Sequence, residues 1–173
     1  MFRERAGLTI LELLLSLGLI VILVAFSFWA INPLERAKQA RDQERIANLS
    51  TLRDAIDVSI AAGTALGSTF GVNSSTVGID VSFRTDGSGW VPMNLANHLM
   101  SALPRDPRNG ETYLDALQSS VLGEYQFISD GKYYVLRTHL EAEINRGKYA
   151  EDGNDNTWYE VGTAPGLSTY FGL

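Results

Sequence analysis

From Leu8 to Ile31 the chain runs for 24 residues with one ionisable side chain, Glu12. As a helix this stretch is about 36 Å long at roughly 1.5 Å per residue. That is enough to cross a hydrocarbon core of about 30 Å. Ser16, Gly18 and Ser27 interrupt an otherwise aliphatic and aromatic pattern, and a short basic leader containing Arg3 and Arg5 precedes it. A carboxylate near mid-bilayer costs on the order of 2.5 kcal/mol or more, so a residue such as Glu12 is kept for a purpose.

Three uses of such a segment compete. A cleaved secretory signal has an apolar region of about 7–15 residues followed by a small-residue cleavage site. Here the run is longer, and Trp29-Ala30-Ile31-Asn32 is a poor site. A plain single-pass anchor leaves Glu12 without a role. The third use places the cut before the apolar run, which is then retained.

The third use is supported by a resemblance. Gly7 followed by Leu8-Thr9-Ile10-Leu11-Glu12-Leu13-Leu14 resembles the amino-terminal signature of type IV pilins and type II secretion pseudopilins. That signature is a basic leader, a glycine, a usually aromatic first mature residue, then threonine, two aliphatic residues and glutamate. The departure is Leu8, where phenylalanine is usual. The resemblance implies cleavage after Gly7 by a prepilin peptidase, N-methylation of the new terminus at Leu8, and a role for Glu12 in guiding a subunit into a growing filament. It divides the chain into a leader (1–7), a transmembrane and filament-core helix (8–31) and a head (32–173) that includes the second half of a long helix.

Physical chemistry accommodates that role. Cleavage would create an amine at Leu8, one helical turn before Glu12, where pairing within one chain is awkward. An axially staggered neighbour could bring its Leu8 amine to Glu12, and paired charges in a dry bundle are favoured over a lone one. The competing reading is that Glu12 snorkels to the nearby membrane edge. Charge does not settle orientation, because Arg36, Lys38, Arg41 and Arg45 follow the run while Arg3 and Arg5 precede it. The resemblance places the leader in the cytoplasm and the head outside, in the inner membrane first and in a surface or extracytoplasmic filament afterwards.

Fourteen Lys and Arg stand against twenty Asp and Glu, for a net charge of −6. Removal of Arg3, Arg5 and Glu4 with the leader leaves 12 against 19, or −7. That balance disfavours nucleic acid as a partner, because phosphate contacts need clustered positive charge. With no cysteine, disulfides and thiolate chemistry are excluded.

At Asn32-Pro33 the proline removes a helical donor. This predicts a kink or melt, or a helix end and restart with Asn32 as cap and Pro33 in the first position. From Leu34 to Ala62, Ile46, Leu49, Leu52, Ile56 and Ile60 recur at helical spacing and predict an amphipathic helix, closed by Gly63. Leu8 to Ala62 would make one element of about 55 residues and 80 Å. Asp42 with Arg45 and Arg53 with Asp57 read as pairs on a solvated face.

Alternation over Thr76–Phe83 predicts a strand, Asp86-Gly87-Ser88-Gly89 a turn, and Pro92–Leu103 a short amphipathic helix. Leu103-Pro104-Arg105-Asp106-Pro107, with Asn109-Gly110 and Tyr113, is a rigid turn segment that loosely resembles a proline–aspartate–proline stretch of many pseudopilins. Glu124–Ile128 and Lys132–Leu140 predict strands joined at Asp130-Gly131, with a further strand at Thr157–Val161. Gly162–Leu173 either straps the head or stays mobile. The expected fold is α+β and pilin-like: a long N-terminal helix packed on a small antiparallel sheet.

No catalytic constellation is recognisable, and the chain is not expected to be an enzyme. His98 and His139 lie in different elements, and Glu141 and Glu143 read as solvent-facing acids. Glu151-Asp152-Gly153-Asn154-Asp155-Asn156 offers hard oxygen ligands at alternate positions, as calcium prefers. Thr157 and Thr163 occupy the places of the essential glycine and glutamate, which excludes an EF-hand. A different site on Asp152, Asn154, Asp155 and Asn156 stays open beside an ordinary polar turn. The resemblance adds that major pseudopilins hold calcium in late loops, so calcium is the one cofactor to test.

The expected function is that of a structural subunit of a type IV pilus-like or type II secretion pseudopilus filament. Its expected partners are other copies of itself, minor pilins or pseudopilins, prepilin peptidase, an inner-membrane assembly platform, and membrane lipid before assembly. The alternative is a membrane-anchored extracytoplasmic binding module that does not polymerise, with Trp90, Trp158 and Tyr159 as an exposed aromatic platform.

Overall fold

The computed structural model describes residues 9–69, 71–76, 83–96 and 100–173. The chain divides into two compact units, Met1–Ala37 and Lys38–Leu173. Helix α1 spans Ile10–Ile31 and helix α2 spans Pro33–Ala61, so the unit boundary lies inside α2. The expected single 55-residue element is interrupted at Asn32, which adopts the left-handed conformation (φ 42°, ψ 74°). Asparagine tolerates this region better than most residues. Pro33 then supplies the pre-set φ and missing donor that suit a first helical position. The Asn32 side-chain oxygen accepts from the Glu35 N–H (3.4 Å) and its carbonyl from Arg36 (3.2 Å). Of the two alternatives at this junction, the structure adopts end and restart.

Helix α2 ends at a glycine cap. Gly63 is left-handed at φ 87°. Its N–H bonds the Ile60 carbonyl and the Thr64 N–H bonds the Ser59 carbonyl, both at 2.9 Å. These two bonds are the Schellman pattern, which satisfies otherwise orphaned carbonyls.

In the second unit, strands β1 (Asn73–Ser74), β4 (Gln126–Ser129), β5 (Tyr134–Thr138) and β6 (Tyr159–Gly162) form an antiparallel sheet in the order β1-β4-β5-β6. Strands β2 (Thr112–Leu114) and β3 (Ser120–Leu122) form a separate ribbon. The α+β class and the small antiparallel sheet are as expected. The β4–β5 hairpin turns at Asp130-Gly131, where the Asp130 carboxylate accepts from the Lys132 and Tyr133 N–H groups (2.8 and 2.7 Å).

Every residue of β5 is buried, because the sheet is covered on both faces. Phe127, Tyr134 and Leu136 pack with Leu49, Leu52 and Ile56 of α2. Ile128 and Val135 point the other way, onto Leu167 and Phe171 of a 3₁₀ segment, Leu167–Phe171. The register, Phe127 opposite Leu136 and Ile128 opposite Val135, produces this sorting. Each fully buried Leu or Ile contributes about 1.5–3 kcal/mol. Polar pins flank the stripe: Tyr134 OH donates to Asp57 (2.6 Å), and Asn48 donates to Tyr125 OH (3.0 Å). The C-terminal stretch therefore straps the head, and Tyr170 OH donates to Asp130 (3.0 Å).

Two expectations are corrected. Among the described residues of 92–103 there is no helix. Val91, Met93 and Leu95 are buried at alternate positions, and Leu95 N–H bonds the Thr85 carbonyl at 2.7 Å. The described part is irregular, with the Met93 N–H bonded to the Val91 carbonyl at 2.8 Å in a tight turn, and residues 97–99 of the expected helix lie outside the described residues. Arg53 does not pair with Asp57; it bonds Asp54 (3.0 Å), leaving Asp57 to Tyr134. The expected strand at Thr76–Phe83 falls largely outside the described residues.

Candidate functional site

Helix α1 is 22 residues long, about 33 Å, and apolar enough to cross a membrane by length and composition. Its side chains are exposed, from Ile10 at 80% to Phe28 at 68%. The hydroxyls of Ser16 and Ser27 donate to the carbonyls of Leu13 (2.9 Å) and Leu23 (2.8 Å). Such internal satisfaction is what a segment without water requires. Thr9 caps the helix, its hydroxyl accepting from the Glu12 N–H at 3.2 Å. Thr9 and Glu12 thus occupy the N-cap and third helical positions of a capping-box sequence, a local signal in the motif that sequence reading missed. Gly7 and Leu8 lie outside the described residues.

A second feature sits where the sequence predicts solvent. Asp42 and Arg45 of α2 are buried with Asp106 and Glu141. Arg45 grips Asp106 with two bonds (2.7 and 3.1 Å), bonds Asp42 (3.0 Å) and meets Glu141 (2.8 Å). Asp42 also accepts from the Glu141 and Ala142 N–H groups (both 2.8 Å) and from Asn145 (2.7 Å). Arg41 forms a fork on Glu141 (2.9 and 2.6 Å), and Arg108 approaches it at 3.5 Å. The Tyr113 ring lies against the guanidinium groups of Arg45 (4.8 Å) and Arg108 (5.1 Å).

Three arginines thereby balance three carboxylates. Burial opposes the charge on Arg45, but its hydrogen bonds to Asp106 and the surrounding acids hold it above its ordinary value. Burial pushes Glu141 up, yet Arg41 and Arg45 outweigh it and the carboxyl ends below its ordinary value. The solvated-face reading of Asp42 and Arg45 and the solvent-facing reading of Glu141 are corrected; Glu143 is exposed. A signal existed, since 42, 45, 49, 52, 56 and 59 form one stripe of alternating threes and fours. The cluster ties α2, the Asp106 turn and the end of β5 together.

The acidic loop divides its four expected ligands. Asp155 accepts from the Thr157 N–H (2.9 Å) and hydroxyl (2.6 Å). Asn156 and Asn154 are exposed, and Asn154 lies against Gly166. Asp152 turns inward, accepting from the Glu160 N–H at 2.6 Å. Glu160, 1% exposed, accepts from the Ser168 N–H at 3.3 Å. One oxygen each of Asp152 (Oδ1), Glu160 (Oε2) and Ser168 (Oγ) is buried without a hydrogen-bond partner. Burial pushes Asp152 up to about 6 and raises Glu160 as well. Among the described residues no three His, Cys, Asp or Glu side chains converge as a metal cluster.

His98 lies outside the described residues. His139 stacks on Trp158 at 3.7 Å between ring centres. Its Nδ1 stands 3.7 Å from Asp115 without a hydrogen bond, and burial pushes it down to about 4. Arg137 covers Trp158 at 4.3 Å, while Trp90 is buried in the core and Tyr159 half-buried. The three aromatics of the binding-module reading therefore form no common exposed platform. Compared with family models, with curated proteins and with solved structures, the chain matches none.

Proposed function

We propose that this chain is a structural subunit of a type IV pilus-like or type II secretion pseudopilus filament. The observation that carries the reading is the N-terminal segment. Cleavage after Gly7 leaves a retained apolar helix whose large apolar side chains from Ile10 to Phe28 face outward, with one carboxylate, Glu12, in its first turn. Such a surface needs lipid or neighbouring copies to cover it. Before assembly the helix anchors the chain in the inner membrane with the head outside the cytoplasm. After extraction it packs against copies of itself and related minor subunits in the filament core. The prepilin peptidase and an inner-membrane assembly platform are the machinery it meets, and Leu8 is the methylated terminus. The acidic balance argues against nucleic acid as the partner.

The test is to express the full chain with and without a prepilin peptidase and read the N-terminus by mass spectrometry. A start at Leu8 only with the peptidase is expected; a start at Met1 in both, or a cut after Ala30, overturns the reading. Glu12→Ala and Glu12→Gln keep the backbone N–H that Thr9 caps, so the helix start survives. Both variants should be cleaved normally and fail to enter filaments. Normal filaments from either one refute the pairing role.

A further inference from the structure

We propose that the C-terminal strap is exchangeable: Leu167–Phe171 of one copy seats on the sheet face of a second copy of this chain, with Pro165-Gly166 as the hinge. Up to Ala164 the chain is pinned, because the Thr163 and Ala164 N–H groups both bond the Tyr134 carbonyl (2.9 and 3.1 Å). From Leu167 onward it lies on the sheet, with Leu167 against Ile128 and Val135 and the Tyr170 hydroxyl on Asp130 (3.0 Å). Between the two, Pro165 is exposed.

The hinge holds strain. The Leu167 N–H bonds the Ala164 carbonyl at 2.9 Å, so Ala164-Pro165-Gly166-Leu167 is a tight turn with proline and glycine in the places a type II turn gives them. Gly166 is left-handed (φ 65°), as that turn requires, but Leu167 is left-handed too (φ 53°). A bulky aliphatic residue is rarely found there, because its Cβ crowds the backbone. The turn is also pressed on the acidic loop, where a Cβ at Gly166 would sit 2.4 Å from Asn154 Nδ2. Opening the turn releases both constraints.

The seat is also easy to leave. Ser168 and Glu160 are almost wholly buried, at 0% and 1%, and one bond of 3.3 Å joins them. Five buried side-chain atoms among the described residues lack hydrogen-bond partners, and Ser168 Oγ, Glu160 Oε2 and the neighbouring Asp152 Oδ1 are three of them. Unpartnered buried polar atoms weaken the closed form. The groove nevertheless fits this segment, and a second copy presents the same groove. Exchange therefore repeats the seat contacts and alters the hinge alone, which is the condition for domain swapping at low cost. It needs only that copies be held close, and so stands whether or not they form a filament.

The chain has no cysteine, so introduced thiols report on the seat alone. The rings of Tyr133 and Tyr170 are 5.4 Å apart. Full-length Tyr133→Cys and Tyr170→Cys chains, carrying tags of different size, are mixed in detergent micelles that each hold several copies and are treated with a short thiol cross-linker. Exchange joins the two variants to each other, and the same two substitutions in one chain calibrate the internal reaction. Absence of the mixed product overturns the proposal. Inserting Gly-Ser-Gly after Gly166 relaxes the hinge and should abolish the mixed product while the internal one persists. A mixed product that survives the insertion means that heads merely touch, and overturns the exchange. Deleting Pro165 and Gly166 should enrich the mixed product; if that variant loses its circular dichroism signature, the insertion decides.

Discussion

Helix α1 and the head invert the usual arrangement in opposite senses. In α1, large apolar side chains face outward, and the hydroxyls of Ser16 and Ser27 turn back onto their own backbone. In the head, Arg45 is 0% exposed and sits among three carboxylates. Hydrophobic surface outside gives a segment long and apolar enough to cross a membrane. Charge inside marks a junction where three distant pieces of chain must meet in one register. Each apolar neighbour in the head can be swapped for another of similar volume, whereas Arg45 has one arrangement that satisfies all its partners. Whether that buried charge confers specificity is a hypothesis that substitution can test.

The largest effect should come from Arg45→Met, which strands Asp42, Asp106 and Glu141 in the interior. A loss of about 3–5 kcal/mol is expected from denaturant unfolding followed by near-ultraviolet circular dichroism. A change below about 1 kcal/mol would mean that water reaches the cluster, and the contrast with α1 would fall.

Next comes acid. Burial holds the folded His139 near 4 against its ordinary 6.5, so the unfolded chain takes up that proton first. The stability from keeping the ring neutral is complete above about pH 6.5 and is lost as pH falls toward about 4. It amounts to at most about 3 kcal/mol. Asp152, raised by burial, works in the opposite direction over an overlapping range, so the comparison should be with His139→Gln. That variant should show a flatter acid limb than wild type, and identical limbs would place the ring in solvent.

The smallest effect belongs to Leu19→Ala in α1. Head stability in detergent should change by less than about 0.5 kcal/mol. A larger loss would show that α1 contributes to the fold of the head and erase the distinction between the two units.

Local chemistry was readable in the chain. Pro33, Gly63 and Asp130-Gly131 each dictate a backbone conformation through their own atoms, and each stands where the sequence predicts. The stripe Leu49, Leu52, Ile56 was readable because burial follows helical period. What lies beyond local chemistry was not. Asp42 and Arg45 look like a solvated pair unless Asp106 and Glu141, distant in sequence, are known to arrive. Val91, Met93 and Leu95 sit beside residues that fit a helical spacing, and the bonds from Met93 to Val91 and from Leu95 to Thr85, the second distant in sequence, hold the stretch in an irregular form instead. Glu160 was read as part of a strand, and its approach to Ser168 depends on how the C-terminal segment folds back.

Asn32 closes α1 and opens α2 with its own backbone and side chain. Helices unravel cooperatively because each turn leans on the hydrogen bonds of the next. Here that ladder stops and starts again at one residue, so the junction acts as a firebreak. Fraying of α1 would end at Asn32, leaving the capped start of α2 to keep its own turns.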